Sequence, residues 1–285
     1  MKPLHVLAIA CFAVLMVLAG ARADEPPSKA DKPKPGETPA KKQGYADVNG
    51  LEMYYEIHGT GKPLVVLHGA FGFATAYPAL AKGRQLIAVE LQGHGHTADI
   101  DRPLTFEQMA DDSAALLEHL KIEQADFFGY SMGGNVALAI AIRHPAIVDK
   151  VAINGSNFGK IEDAYEPAAY KQFKNMPANF APPMLKGPYD KVAPDPKQWP
   201  VLVAKVKKMG LEFRGFSRDD MKAIQAPVLV TQGDHDAVRL EHAVEMFRLI
   251  PKAKLAVFPG GDHFTLVTNP DKVLTPVAAF LEVPK

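Results

Sequence analysis

Cysteine is nearly absent from this chain of 285 residues, in which Cys11 is the only one. A lone thiol cannot close a disulfide within the chain or supply a thiolate zinc site. An excess of either charge is also absent, since 32 Lys and Arg residues balance 32 Asp and Glu residues. This balance gives no electrostatic reason to expect nucleic acid or an anionic membrane surface as a partner.

The N-terminus carries a long apolar run. Residues 4–20 are almost entirely apolar, and Ala21-Arg22-Ala23 follows them. This pattern predicts a signal peptide over residues 1–23 that is cleaved after Ala23. The protein would then be exported, periplasmic or extracellular, with no stable membrane insertion and no cysteine left as a nucleophile. The alternative is an uncleaved membrane anchor, because the run is nearly long enough to span a bilayer.

A polar segment follows the predicted signal peptide. Residues 24–44 lack large apolar side chains and are rich in proline and lysine. Such a segment cannot bury enough apolar surface to offset the entropy lost on ordering, so we predict a disordered spacer. The folded domain is then expected over residues 45–285.

Short apolar runs alternate with helical patterns along this domain, as in strands buried on both faces of a parallel sheet. The predicted strands cover 51–57, 63–69, 85–91, 125–131, 150–156, 226–234 and 253–261. The first run also fits an antiparallel edge strand paired with "YADVNG". The predicted helices cover 105–122, 132–145, 239–251 and 271–282, the first with a capping box at Thr105 and Gln108. We therefore predict the α/β class, with a mostly parallel eight-stranded sheet and helices on both faces.

One region interrupts this alternation. Residues 157 to about 218 are rich in proline, lysine and aromatic side chains, and they lie between two predicted core strands. A structureless loop of that length is uncommon inside a compact domain. We therefore predict a helical cap inserted over the ends of the strands.

The segment Gly129-Tyr130-Ser131-Met132-Gly133 fits the pattern G-x-S-x-G between a predicted strand and a predicted helix. In this setting the pattern indicates a sharp turn that exposes the serine hydroxyl, which makes Ser131 the candidate nucleophile. The Met132 N–H opens the helix and would face the negative charge that develops during attack on a carbonyl.

Residues at the ends of other strands complete a candidate catalytic set. The loop "HGAFG" offers the Ala70 N–H as a second oxyanion donor, with Phe71 as the alternative. Asp236 in "GDHD" is the preferred acid over Asp234, because it lies farther out on the loop. His263 in "GGDHF" is the candidate base, and the order of nucleophile, acid and histidine matches one known arrangement.

The remaining histidines are interpreted structurally. His68 is expected to bond the backbone of its loop rather than act as a base. His94 and His96 in "GHGH" allow a metal site, but they lack a third ligand nearby, so no metal is predicted. No cofactor is expected for the reaction.

Taken together, the motifs "HGAFG", "GHGH", "GYSMGG", "GDHD" and "GGDHF" resemble those of the α/β-hydrolase superfamily over residues 45–285. The chain is similar to the branch of esterases, lactonases and C–C-bond hydrolases that carry a cap. This resemblance implies a catalytic triad in which Ser131 is the nucleophile, His263 the base and Asp236 the acid. It also implies an oxyanion hole formed by Ala70 and Met132.

Two positions depart from the pattern of that family. Glu90 stands where many relatives have Asp, a change expected to affect only the packing of a loop. Ala70 stands where related esterases often carry Trp.

The function predicted from the sequence is hydrolysis of a carboxylic ester through an acyl-enzyme. A lactonase, a thioesterase or a C–C-bond hydrolase would use the same triad, and a ligand-binding protein without turnover is a further alternative. We expect a small, apolar, ester-like substrate that contacts Phe71, Tyr130 and Trp199. The oligomeric state is not predicted from the sequence.

Overall fold

Strands and helices alternate in the computed structural model, which describes residues 42–75 and 77–283. The strands are β1 (Lys42–Val48), β2 (Leu51–His58), β3 (Lys62–Leu67), β4 (Arg84–Val89), β5 (Ala125–Tyr130), β6 (Val148–Asn154), β7 (Val228–His235) and β8 (Ala253–Asp262). The predicted signal peptide and residues 24–41 of the predicted spacer lie outside the described residues. The strand β1 begins at Lys42, so regular structure starts earlier than the boundary predicted at residue 45.

These strands form one sheet in the order β1-β2-β4-β3-β5-β6-β7-β8. The strand β2 is antiparallel to both β1 and β4, and the other neighbours are parallel. The turn between β1 and β2 is built on Asn49 and Gly50, whose φ angles of 51° and 80° suit a tight hairpin. The mostly parallel eight-stranded sheet is confirmed, as is the antiparallel edge.

Helices cover both faces of this sheet. They are α1 (Pro78–Ala81), α2 (Phe106–His119), α3 (Met132–Arg143), α4 (Ile161–Ala164), α5 (Pro167–Lys174), α6 (Pro183–Val192), α7 (Trp199–Glu212), α8 (Arg218–Ala223), α9 (Leu240–Leu249), α10 (Thr265–Thr268) and α11 (Pro270–Phe280). Successive side chains of β3 point to opposite faces of the sheet and so enter two different cores. Val65 packs in the core that holds α3, whereas Leu64 and Val66 pack in the core that holds α11.

The helix α2 begins with a simpler cap than the sequence suggested. The Oγ1 of Thr105 accepts a hydrogen bond of 3.0 Å from the Gln108 amide, as a capping box requires. The Gln108 side chain instead donates to Asp112 at 3.0 Å, so it does not return to the Thr105 backbone. The predicted capping box is therefore wrong in its second half, because a longer-range acidic partner lies within reach of the glutamine.

Between β6 and β7 the chain forms α4 to α8, and we call residues 161–223 the insertion. The Trp199 indole lies inside it, only 1% exposed, and its Nε1 donates to the Phe180 carbonyl at 2.7 Å. At the base of the insertion, His242 of α9 accepts hydrogen bonds at Nε2 from the amides of Phe158 and Gly159. The segment that leads into the insertion is thus tied to α9 by a buried histidine.

Within residues 42–75 and 77–283, none of the helices combines the length and apolar character needed to cross a membrane.

Candidate active site

Ser131 occupies a strained turn between β5 and α3. Its φ and ψ angles are 52° and −118°, a backbone conformation that L-residues rarely adopt. The turn is held by the Ser131 amide, which donates to the Asn154 carbonyl at 2.8 Å. A Cβ atom at Gly129 would lie 2.3 Å from the Gly133 carbonyl oxygen, so the first glycine of the motif is needed for the turn to close. The turn exposes the serine hydroxyl as the sequence predicts.

Three side chains from separate loops meet at this turn. The His263 Nε2 lies 3.0 Å from the Ser131 Oγ, and the His263 Nδ1 lies 2.8 Å from the Asp236 Oδ1. A carboxylate only accepts hydrogen bonds, so the Nδ1 carries a proton. In the neutral imidazole the Nε2 then has a lone pair that can accept the serine proton. This is the geometry of a nucleophile beside a base that a carboxylate orients.

The Asp236 carboxylate is buried and is fixed by the backbone of its own loop. Its side chain is 1% exposed, and its Oδ1 also accepts from the Val238 amide at 3.0 Å. The Asp236 Oδ2 is buried without a hydrogen-bond partner among the described residues. Asp234, the rejected acid candidate, instead pairs with His235 at the surface, and this hydrogen bond lowers the pKa of Asp234.

The loop after β3 passes beside the same turn. The Gly72 amide donates to the Gly69 carbonyl at 3.0 Å, which places Ala70 and Phe71 at the tip of a tight turn. A Cβ atom at Gly69 would lie 3.4 Å from the Ser131 Cβ, so the first residue of this turn borders the nucleophile. Met132 is the first residue of α3 and has no helical acceptor for its amide. The Met132 amide thus adjoins Ser131, and Ala70, the other predicted oxyanion donor, follows Gly69 on the loop that packs beside it.

Glu90 bonds that loop, in keeping with the expectation that this position affects the packing of a loop. Its carboxylate is buried, and it accepts hydrogen bonds from the amides of Ala74 and His96. Burial raises the pKa of Glu90, while these hydrogen bonds oppose the shift. The His96 Nδ1 also lies 3.1 Å from the carboxylate, whereas the other partners are backbone amides, which no side-chain motif in the sequence signals.

His68 and His94 are neutral structural groups. The Nδ1 of His68 donates to the Gly69 carbonyl at 2.8 Å, and its Nε2 accepts from the Leu91 amide at 3.1 Å. This confirms the prediction that His68 bonds its loop. Burial lowers the pKa of His68 to about 3 and that of His94 to about 4. In the described part of the chain, no cluster of three His, Cys, Asp or Glu side chains is arranged to hold a metal ion.

The three side chains predicted to contact substrate have different surroundings. The Phe71 ring lies 5.3 Å from the Trp199 ring, so these two side chains share an aromatic cluster above the loop after β3. The Tyr130 hydroxyl instead donates to the His263 carbonyl at 2.7 Å. The structure thus brings Phe71 and Trp199 together and joins Tyr130 to the histidine loop.

Known proteins share this fold and parts of this sequence. A model of the alpha/beta hydrolase family matches residues 64–275. A 2-hydroxymuconate semialdehyde hydrolase from Pseudomonas sp. (strain CF600) is 39% identical over 115 residues, covering 38% of this chain and 41% of that relative. The dihydrolipoyllysine-residue acetyltransferase component of an acetoin cleaving system from Pseudomonas putida is 30% identical, covering 83% of this chain and 68% of the relative.

Solved structures match over a larger share of their length. Est816, described as an N-acyl homoserine lactone degrading enzyme, superposes with a TM-score of 0.69 at 25% identity, covering 83% of this chain and 99% of that one. An enol-lactonase from Burkholderia xenovorans LB400 superposes with a TM-score of 0.68 at 24% identity, covering 84% of this chain and 99% of that one. At that identity the enol-lactonase supports the fold alone.

Proposed function

The chain belongs to the alpha/beta hydrolase family, and we propose that it is a serine hydrolase that cleaves carboxylic esters. The observation that carries this proposal is the continuous chain of contacts from Ser131 through His263 to Asp236, at 3.0 Å and 2.8 Å. A serine hydroxyl is a weak nucleophile by itself, and an adjacent base of this kind activates it.

In the first half of the proposed reaction, the Ser131 Oγ attacks the ester carbonyl carbon as His263 takes its proton at Nε2. Asp236 keeps the imidazole in the required tautomer and stabilises its charged form. The tetrahedral intermediate then collapses. The bond to the alcohol oxygen breaks, and His263 returns the proton to the departing alcohol. Ser131 is left as an acyl ester.

The negative charge of the intermediate requires donors that are in place before the reaction. We propose the amides of Met132 and Ala70 for this role. Met132 follows Ser131 at the start of α3, and Ala70 follows Gly69, whose backbone packs beside Ser131. Loss of one such donor lowers kcat by about 10²–10³ in other hydrolases.

The second half of the proposed reaction repeats these steps with water. His263 removes a proton from a water molecule, whose oxygen attacks the acyl carbon, and the Ser131 Oγ leaves with that proton. The scheme uses only side chains of this chain, its backbone amides and water. Phe71 would border the acyl pocket, whereas Trp199, expected from the sequence to contact substrate, is buried inside the insertion and packs behind the Phe71 ring.

Lactone hydrolysis is the second candidate. The likeness to Est816, at 25% identity and over 99% of its length, favours it. A lactone follows the same steps, but its leaving alcohol stays attached to the acyl group. Measuring kcat/KM for an aryl ester, a thioester, a lactone and a C–C-bond substrate would show which of these activities the protein prefers.

The proposed activity is tested by ester turnover in the wild type, in Ser131→Ala and in a control. Ser217→Ala is a matched control, since Ser217 is an exposed residue that caps α8 outside this site. We expect the wild type and the control to hydrolyse a short-chain aryl ester and Ser131→Ala to lose activity. Full activity of Ser131→Ala would overturn the assignment of the nucleophile.

We further propose that the protein is exported and that the leader is removed after Ala23, a proposal that rests on the sequence pattern alone. Mass spectrometry of the protein from its native cells should find an N-terminus at Asp24. An N-terminus at Met1 would favour the membrane anchor instead.

A further inference from the structure

Tyr130 makes a contact that the proposed reaction does not use. Its hydroxyl donates a hydrogen bond of 2.7 Å to the backbone carbonyl of His263, although the two residues are 133 positions apart. The Tyr130 ring also lies 5.6 Å from the imidazole, tilted by 34°. One side chain therefore touches both the backbone and the ring of the proposed base.

The same side chain contacts the loop after β3. A Cβ atom at Gly69 would lie 2.9 Å from the Tyr130 Cδ1, so the tyrosine ring packs directly against the loop backbone. Tyr130 also immediately precedes Ser131 in the chain. The side chain thus joins the nucleophile turn, the loop of the proposed oxyanion donor and the histidine loop.

The histidine loop has its own internal hydrogen bonds. The Phe264 amide donates to the Asp262 carboxylate at 3.0 Å, and the Asp262 amide donates to the Thr265 hydroxyl at 2.8 Å. These bonds shape the loop but connect it only to itself. The Tyr130 hydroxyl, in contrast, fixes the loop relative to the turn that carries Ser131.

We propose that Tyr130 is a positioning residue that holds His263 in line with the Ser131 hydroxyl. The inference rests on the proposed function, because it assigns the residue a part in that reaction. It also replaces the sequence-based expectation that Tyr130 contacts substrate, since its hydroxyl is already engaged by the protein.

Burial raises the pKa of Tyr130, and the negative charge of Asp236 adds to this shift. The hydroxyl therefore remains a donor at neutral and mildly alkaline pH.

The test is Tyr130→Phe, which removes the hydroxyl and keeps the ring. Tyr54→Phe is the matched control, because the Tyr54 hydroxyl makes a comparable hydrogen bond of 2.9 Å to Glu56 on β2. We expect kcat for a short-chain aryl ester to fall about tenfold in Tyr130→Phe, with KM changed by less than about twofold, since small misplacements of a reacting group cost rate rather than binding. The control should match the wild type.

Proton NMR gives a second readout that a merely structural role would not move. The downfield signal of the His263 Nδ1–H should broaden in Tyr130→Phe and stay sharp in Tyr54→Phe, while the thermal midpoints of the two variants stay close. Wild-type kcat together with an unchanged signal in Tyr130→Phe would overturn the positioning role. This result would leave the proposed function intact if Ser131→Ala is inactive. Activity of Ser131→Ala would instead defeat the proposed function itself.

Discussion

The Oε1 of Glu90 accepts a hydrogen bond of 3.0 Å from the backbone amide of Ala74. This contact ties the loop after β3, which carries Ala70, to the end of β4. The other carboxylate oxygen holds the His96 amide on the next loop. One buried side chain therefore sets the separation of two loops at the edge of the proposed site.

Glu90→Gln should weaken this support. The amide group of glutamine cannot accept at both ends, so one backbone N–H would lose its partner, at a cost of about 1–3 kcal/mol in the free energy of unfolding. We expect kcat/KM for an aryl ester to fall about tenfold. Glu118→Gln, on the exposed side of α2, is the control and should leave both quantities unchanged. Full activity of Glu90→Gln would show that the loop holds its shape without the carboxylate.

Gly155 should tolerate no side chain. Its φ angle is 60°, and a Cβ atom would lie 3.0 Å from the Asp236 Oδ2 and 3.1 Å from the His263 Nδ1. Gly155→Ala is expected to displace the acid from the base and lower kcat by about 100-fold. It should also cost about 1–2 kcal/mol of stability, because a left-handed backbone is unfavourable for alanine.

Gly50→Ala separates these two effects. Gly50 has a φ angle of 80°, and a Cβ atom there would meet no atom of the described residues within 4 Å, so the variant carries the backbone cost without the clash. Its stability loss should resemble that of Gly155→Ala while its kcat equals that of the wild type. Equal kcat in the two variants would contradict the steric argument.

The free energy of unfolding should fall at acidic pH because buried histidines become protonated. Burial lowers the pKa of His242 to about 4, below its ordinary value of 6.5. The neutral form is favoured in the folded state, so the stabilisation is present above pH 6.5 and is lost as the pH falls toward 4. His242 alone would lower the free energy of unfolding by about 3 kcal/mol, since one pKa unit corresponds to about 1.4 kcal/mol.

His242→Gln tests this pH dependence. Glutamine can still accept a hydrogen bond but does not titrate, so the free energy of unfolding should decline less steeply between pH 6.5 and pH 4. A residual slope is expected from His68 and His94, whose pKa values are lowered in the same direction. His235→Gln, at an exposed position, is the control. Denaturant titrations at several pH values that gave parallel curves for the wild type and His242→Gln would contradict the prediction.

Most of the fold can be predicted from local patterns in the sequence. Buried strands such as β3 and β5 are mostly apolar, and their alternate side chains fill two separate cores. The turn at Ser131 is also local, because its glycines and its strand-to-helix setting are contiguous in the chain. The start of β1 at Lys42 was missed, since polar residues at a sheet edge carry no apolar signal.

The contacts that support the site were not predictable in this way. Tyr130 and His263, Glu90 and Ala74, and His242 and Phe158 each meet through a backbone amide or carbonyl. Every residue offers such groups, so residue type does not indicate which ones will pair. The preference for Asp236 over Asp234 depended on the shape of one loop, which places a buried carboxylate at one position and an exposed carboxylate at the other.

In the proposed reaction Ser131 becomes acylated during turnover. Brief incubation with a short-chain aryl ester or a fluorophosphonate, followed by mass spectrometry of the intact protein and its peptides, tests this directly. We expect one covalent adduct, located on Ser131 and missing from Ser131→Ala. Ester turnover without an adduct on Ser131, or an adduct on another residue that persists in Ser131→Ala, would contradict it.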